Sequence, residues 1–404
     1  MNKIRTISET YTIDINTYRP RGSDRKCSID MAGVYIHIPY CRQACHYCNF
    51  HFSVSRRNLQ DFLNALKAEI AMTADFFDKP LKTVYIGGGT PSLLSGGEIN
   101  AIFEAICRHF SLDDACEVTI EANPDDLSRE KLMILQQTPV NRLSIGIQSF
   151  HAKDLSYLNR IHSTDQAIDS LKNAQSAGFE NITADLIYGI PTLDDDMWID
   201  NLQRLVNMNI SHISAYALTV EEKTALAHFI RRGKYQAVSE EQSARQFEIM
   251  MEFLESKGYL HYEISNFSLP GHMSLHNLLY WSAMPYLGLG PSAHSYKDGQ
   301  RFWNISNTER YISSIGQGIL PREGEVLSDT DKYNEYIMTS LRTMWGCDLQ
   351  KVTANWGQER TQFLLREASK YISRGHVYHI DDRLIVSPAG RFLADGIASG
   401  LFIV

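Results

Sequence analysis

Six short runs rich in β-branched and aromatic residues, at 34–38, 83–86, 117–122, 142–148, 182–187 and 212–218, alternate with longer amphipathic stretches. This alternation limits the fold more than any other feature of the chain. Leu59, Phe62, Leu63, Leu66 and Ile70 recur at helical spacing, as do Ile99, Ile102, Phe103, Ile106 and Phe110. Six β/α units in succession imply an α/β fold with a parallel sheet and right-handed crossovers. Periodicity alone leaves an open doubly wound sheet and a barrel both available. An acid-rich helix over 240–257 closes this domain.

From about Asp329 the character changes. Helical stretches at 332–343 and 360–373 precede a hairpin of 377–380 and 383–386 around Asp381-Asp382, then a short helix. That order reads as a winged-helix-like α+β module. It has no dense basic stripe and the whole chain carries a net charge of −8, so nucleic acid is not its expected partner. A chain of 404 residues with 21% charged residues accommodates one large domain and a smaller one. No apolar run reaches the length of a membrane span. Residues 1–30 are polar and aperiodic, and read as a loose extension ahead of Met31, with either Met1 or Met31 as the native start. Glu9, Asp14, Asp24 and Asp30 break the acid-poor rule of transit peptides.

The chemistry begins at Cys41, Cys45 and Cys48, a CxxxCxxC within eight residues after the first strand. Three such thiolates can wrap three irons of a [4Fe–4S] cube and leave the fourth open to S-adenosylmethionine (SAM). Zinc with His46 or His51 as fourth ligand is the rival, but zinc sites usually split their ligands into two separated pairs. Cys27, Cys107, Cys116 and Cys347 are scattered, and clustered plus isolated thiols suggest a reducing cytoplasm. Cys107 shares an apolar stripe with Phe103 and Phe110, so buried packing is its expected role. Several further motifs fall at strand ends. Gly87-Gly88-Gly89-Thr90-Pro91 follows the second strand, and Glu121, Gln148, Asp185 and Ala217 close the third to sixth. In parallel barrels the loops at the C-terminal strand ends carry the chemistry.

The segment from Tyr35 to Cys48 resembles the radical-SAM superfamily. With Asn49 and Phe50 it is similar to the branch holding oxygen-independent coproporphyrinogen III oxidases and HemW-type haem chaperones. The resemblance runs from about Met31 to the C-terminus. It implies a partial (β/α)6 barrel over 31–265, a connecting segment over 266–328 and a C-terminal winged-helix-like domain over 329–404. It also implies that Gly88, Gly89 and Thr90 cup the methionine amino group of SAM, that Glu121 takes the ribose hydroxyls and that Arg160 holds the carboxylate. Gln148, Asp185, Tyr35, Tyr47 and Ala217 complete that set.

Phe50 stands where the oxidases carry a fourth cysteine, which separates this chain from them. His276-Asn277-Leu278-Leu279-Tyr280 matches an HNxxY signature associated with haem in HemW-type proteins. His276, Asn277 and Tyr280 are therefore the expected haem residues, with His261, His272 and His294 as rival ligands. The implied function is a cytoplasmic haem chaperone with a [4Fe–4S] cluster, SAM and haem, serving acceptor proteins. The alternative is an oxygen-independent coproporphyrinogen III dehydrogenase. The sequence designates no catalytic residue and leaves SAM cleavage and a homodimer open.

Overall fold

The computed structural model describes residues 31–403, so the expectations for 1–30, including Cys27, lie outside the described residues. Six parallel strands form the frame: β1 (Gly33–Ile38), β2 (Leu81–Gly88), β3 (Leu112–Ala122), β4 (Arg142–Gln148), β5 (Asn181–Tyr188) and β6 (His212–Ala217). Each neighbours the next in chain order, and β1 and β6 do not pair, so the six β/α units make an open, partial barrel. Every residue of β4 is buried, as expected for a strand covered on both faces.

The helices between strands bury the stripes that their spacing anticipates. In Leu59–Met72 these are Phe62, Leu63, Leu66 and Ile70; in Gly96–His109 they are Ile99, Ile102, Phe103 and Ile106. Each such side chain contributes roughly 1.5–3 kcal/mol on leaving water. Capping boxes at Ser95–Glu98 and Ser163–Gln166 set where two of the helices begin, satisfying backbone donors that the first turn leaves open. Cys107 departs from expectation. It is exposed, because it lies one position beyond Ile106 and about a quarter turn from the stripe's centre.

Residues 260–328 carry strands of their own. They add β7 (Leu260–Glu263) and β8 (Asn266–Ser268) antiparallel beyond β6. On the other edge, β9 (Tyr286–Leu289) runs parallel to β1. There β10 (His294–Lys297), β11 (Gln300–Asn304) and β12 (Arg322–Val326) extend it antiparallel, giving a twelve-stranded sheet.

The buried residues of a second hydrophobic core lie within 333–401, including Tyr333, Ile337, Val352, Leu364, Leu384 and Leu401, and Ile264 packs against it. Around it lie helices Asp329–Leu341, Leu349–Trp356 and Gln358–Ile372. With them is a small sheet of β13 (Cys347–Asp348), β14 (Val377–Ile380) and β15 (Arg383–Val386). Backbone bonds from Ile264 to Arg342 (3.1 Å) and from Met344 to Tyr262 (3.0 Å) fasten this part to the sheet.

Candidate functional site

Successive residues of a strand face opposite sides, so every second residue of β2 to β6 points to the inside of the curved sheet. Along β4 that set is Arg142, Ser144, Gly146 and Gln148; along β5 it includes Thr183 and Asp185, and along β6 Ser214 and Tyr216. With Tyr85 and Glu121 they line one cavity of about 410 Å3. Cys41, Cys45 and Cys48 line its mouth, and Tyr47, Gly88, Gly89, Thr90, Arg160, Ala217 and Asn277 line it too. Thus nine of the ten residues expected at SAM, and all three cysteines, share one space. Tyr35 does not. It sits deeper, hydrogen-bonded to His37 Nδ1 at 3.2 Å and stacked on Tyr85 at 6.0 Å between centroids.

The cysteine loop is pinned from both sides. Cys41 N–H donates to Ser53 O (3.0 Å) and His46 N–H to Leu158 O (3.1 Å), while Asn159 Nδ2 donates to Ala44 O (2.7 Å). The two histidines that a zinc site would use each have one ring nitrogen engaged within the protein. His46 turns its Nδ1 to Tyr157 O (3.1 Å) and His51 its Nε2 to Thr308 Oγ1 (2.9 Å). Among the described residues, no three His, Cys, Asp or Glu side chains converge as ligands of a single ion. Three thiols spread along one loop suit the separate corners of a cluster better. Burial pushes the Cys48 thiol up to about 11 and raises Cys41 as well.

Packing within the protein also requires the glycine run. A Cβ at Gly89 would sit 2.6 Å from Tyr40 O, and one at Gly88 2.6 Å from the His37 ring. Gly88 also adopts φ +107°, which side chains disfavour. The run therefore packs flat against the end of β1, where Gly89 N–H donates to Ile38 O (2.8 Å) and Thr90 N–H to Tyr40 O (2.7 Å).

Glu121 accepts from Tyr85 OH and from Gly88 N–H, both at 2.9 Å, which fixes its carboxylate at the cavity wall. Each of its oxygens keeps a further lone pair. Burial raises its pKa. Arg160 Nη2 donates to Asn123 Oδ1 (2.7 Å) and Gly146 O (2.9 Å), and Nη1 reaches Cys45 Sγ at 3.5 Å. The guanidinium is thereby held between the cysteine loop and the end of β4. Gln148 lies at φ +65°, a strained setting for a non-glycine residue that aims its amide into the site. Asp185 accepts from Ser144 Oγ at 3.0 Å, and burial, with Glu121 nearby, pushes its carboxyl up to about 7. Arg142 was not anticipated. It is buried beside Glu117 (3.7 Å), and its Nε has no hydrogen-bond partner. Period-two polar residues inside otherwise apolar strands were the signal for it.

The helix Leu275–Trp281 closes the cavity at the opposite ends of the strands, through Asn277. Glu117 accepts the backbone N–H groups of Leu275 and His276, both at 3.1 Å. His276 is 1% exposed, its Nδ1 bonded to Thr83 Oγ1 (2.7 Å) and its Nε2 to Tyr280 OH (3.0 Å). Burial lowers its pKa to about 3, so it is a neutral, fully partnered ring. Iron ligation by His276 would therefore require breaking one of those bonds. Of the rivals, His261 is buried against Ile264 O (3.0 Å), whereas His294 is exposed opposite Trp303 on β11. Phe50, at the fourth-cysteine position, is 66% exposed at the cavity mouth.

Residues 35–205 match the radical SAM superfamily and residues 327–393 the HemN C-terminal domain. The chain is 33% identical over 371 residues to the heme chaperone HemW of Bacillus subtilis, covering 91% of this chain and 98% of that one. It is 34% identical to the HemW of Mycobacterium tuberculosis, covering 91% and 94%. Coproporphyrinogen III oxidase (HemN) from Escherichia coli has the same fold, with a TM-score of 0.80 over 92% of this chain and 90% of that one, at 22% identity. Barrel, cysteine loop and C-terminal module agree with these matches, and the chain belongs to the HemW family of the radical SAM superfamily.

Proposed function

We propose that the chain is a haem chaperone of the cytoplasm that binds a [4Fe–4S] cluster, SAM and haem, and passes haem to acceptor proteins. The observation that carries the reading is the cavity that the cysteine loop and the strand ends share. Cys41, Cys45 and Cys48 stand at its mouth, and Gly88, Gly89, Thr90, Glu121, Gln148, Arg160, Asp185 and Ala217 line its wall. When bound, the cluster supplies a single electron to the sulfonium of SAM. The chain's own residues position that ligand. Glu121, held by Tyr85 and Gly88, offers its free lone pairs to ribose hydroxyls. Arg160 presents its remaining donors to the carboxylate beside Cys45. Gln148 and the protonatable Asp185 supply neutral hydrogen bonds, which do not repel a cationic sulfonium or an anionic carboxylate. The haem role is supported by the HemW relatives and by the exposed phenylalanine, Phe50, at the position where the oxidases resembled here have a cysteine.

The test is paired. Anaerobically reconstituted protein is incubated with coproporphyrinogen III, SAM and reductant, and separately titrated with haem. Saturable haem binding without porphyrinogen turnover is expected. Robust decarboxylation with no saturable haem binding would replace this reading by a coproporphyrinogen III dehydrogenase.

A further inference from the structure

A second cavity, of about 550 Å3, lies beyond the far end of the Leu275–Trp281 helix, between β9–β11 and the C-terminal module. Its volume falls within the roughly 300–1,000 Å3 typical of cofactor sites. One wall is aromatic: Tyr280 and Tyr286 meet edge to face at 4.6 Å, and Tyr286 stacks on Tyr296 at 6.3 Å. The facing wall comes from the C-terminal helices, where Tyr336 and Trp356 lie 5.5 Å apart. Met284 and Met338 add polarisable thioethers to the lining. The charge on the lining is arranged as well. Glu335 is engaged by Arg301, while Lys332, 4.0 Å from Asp329, and Lys351, over the Tyr336 ring at 4.7 Å, come from the C-terminal helices. Two apolar aromatic walls with ammonium groups along one side suit a flat, apolar ligand bearing carboxylates on one edge.

We propose that haem docks in this cavity, its ring between the Tyr286 and Trp356 walls and its propionates toward Lys332 and Lys351. The inference rests on the haem-carrying reading above, and it moves the ligand away from the SAM cavity. The Leu275–Trp281 helix then serves as a partition, with Asn277 facing the first cavity and Tyr280 and Trp281 the second. Its buried His276 anchors the partition to β2 through Thr83. Thioether and phenol groups in the lining are of kinds that bind haem iron elsewhere.

The full chain is titrated with haem by Soret absorbance and tryptophan fluorescence, with and without saturating SAM. Tryptophan emission falls in step with the Soret change. A Lys332→Glu, Lys351→Glu variant carries its changes on half-buried and exposed side chains, so its fold is preserved. It should bind haem roughly tenfold more weakly than wild type, as expected for reversing two solvent-screened charge contacts. Equal affinity in the two proteins with unaltered quenching, or competitive displacement of haem by SAM, would overturn the location while leaving the chaperone reading intact. Absence of saturable haem binding by wild type would overturn both.

Discussion

The strand ends of the barrel and the helix Leu275–Trp281 both hold polar side chains in the interior, but they use them differently. At the strand ends, Glu121, Arg160 and Asp185 are fixed by protein partners on one side and keep donors or lone pairs on the other, facing a cavity. In the helix, His276 is partnered at both ring nitrogens and lines neither of the two cavities described above. A site for a ligand needs polar groups that are oriented and incompletely satisfied. A polar group already satisfied at every donor and acceptor must give up a bond before it can take a ligand.

The sharpest break of this contrast is at the mouth of the cavity. Replacing Cys41, Cys45 or Cys48 by Ala should abolish the brown iron–sulfur absorbance of anaerobically reconstituted protein, which should otherwise hold about four irons per chain. Cys107→Ala, at an exposed helix position, should leave it intact. A colourless, zinc-containing wild-type protein would remove the cluster reading.

Asp185 tests whether the cavity wall stores unsatisfied polarity. Its carboxyl is raised to about 7 in the folded chain against an ordinary value near 4, so the folded state holds its proton more tightly than the unfolded state. Its stabilising contribution is therefore full below about pH 4 and is lost as pH rises through 7. Asp185→Asn should flatten this part of the stability profile, by an amount on the order of a few kcal/mol between acid and neutral pH. Denaturant midpoints across pH 4–8 in wild type and variant measure it, and parallel profiles would mean that Asp185 is not the titrating group.

Legibility in the sequence follows the same contrast. Strand β4 at 142–148 and the hairpin strands at 377–380 and 383–386 have the expected limits, because each is a continuous run bounded by turn residues. The cavity residues were legible because parallel topology places strand ends together without knowledge of packing. Strands β7 to β12 were not. They are three to five residues long and carry mixed sequences such as Arg-Glu-Gly-Glu-Val, too short for a periodic signal. Helix Leu349–Trp356 was missed because it is short and followed at once by Gly357 and another helix. Arg142 and Thr183 were legible in principle, as polar residues at alternate positions, but nothing local distinguishes them from structural polar groups. The partners of His276 lie 193 residues away at Thr83 and one turn away at Tyr280, and only the first depends on tertiary structure.

Arg160 is held beside the strand ends by three protein partners. It bridges Asn123, Gly146 and Cys45 and presents its remaining donors to the cavity. Losing one charge-assisted hydrogen bond costs about 1.5–3 kcal/mol, so Arg160→Ala should weaken SAM roughly ten- to a hundredfold in calorimetry. The three thiols remain in place, so the cluster absorbance should survive. Unchanged affinity would take Arg160 out of the SAM site.

His276 provides the opposite test. In His276→Ala, Thr83 Oγ1 and Tyr280 OH lose their shared partner, and the ring no longer packs on Tyr85, 5.0 Å away between centroids. Leaving buried polar groups unsatisfied costs about 1–3 kcal/mol, so the denaturant midpoint should fall accordingly. An axial ligand would behave otherwise: its removal would shift the Soret band of the haem-bound protein even where the protein stays folded. The arrangement predicts loss of stability with an unmoved Soret maximum, measured at a temperature where both proteins are folded. A shifted Soret band at unchanged stability would make His276 the iron ligand and require the Leu275–Trp281 helix to reorganise when haem binds.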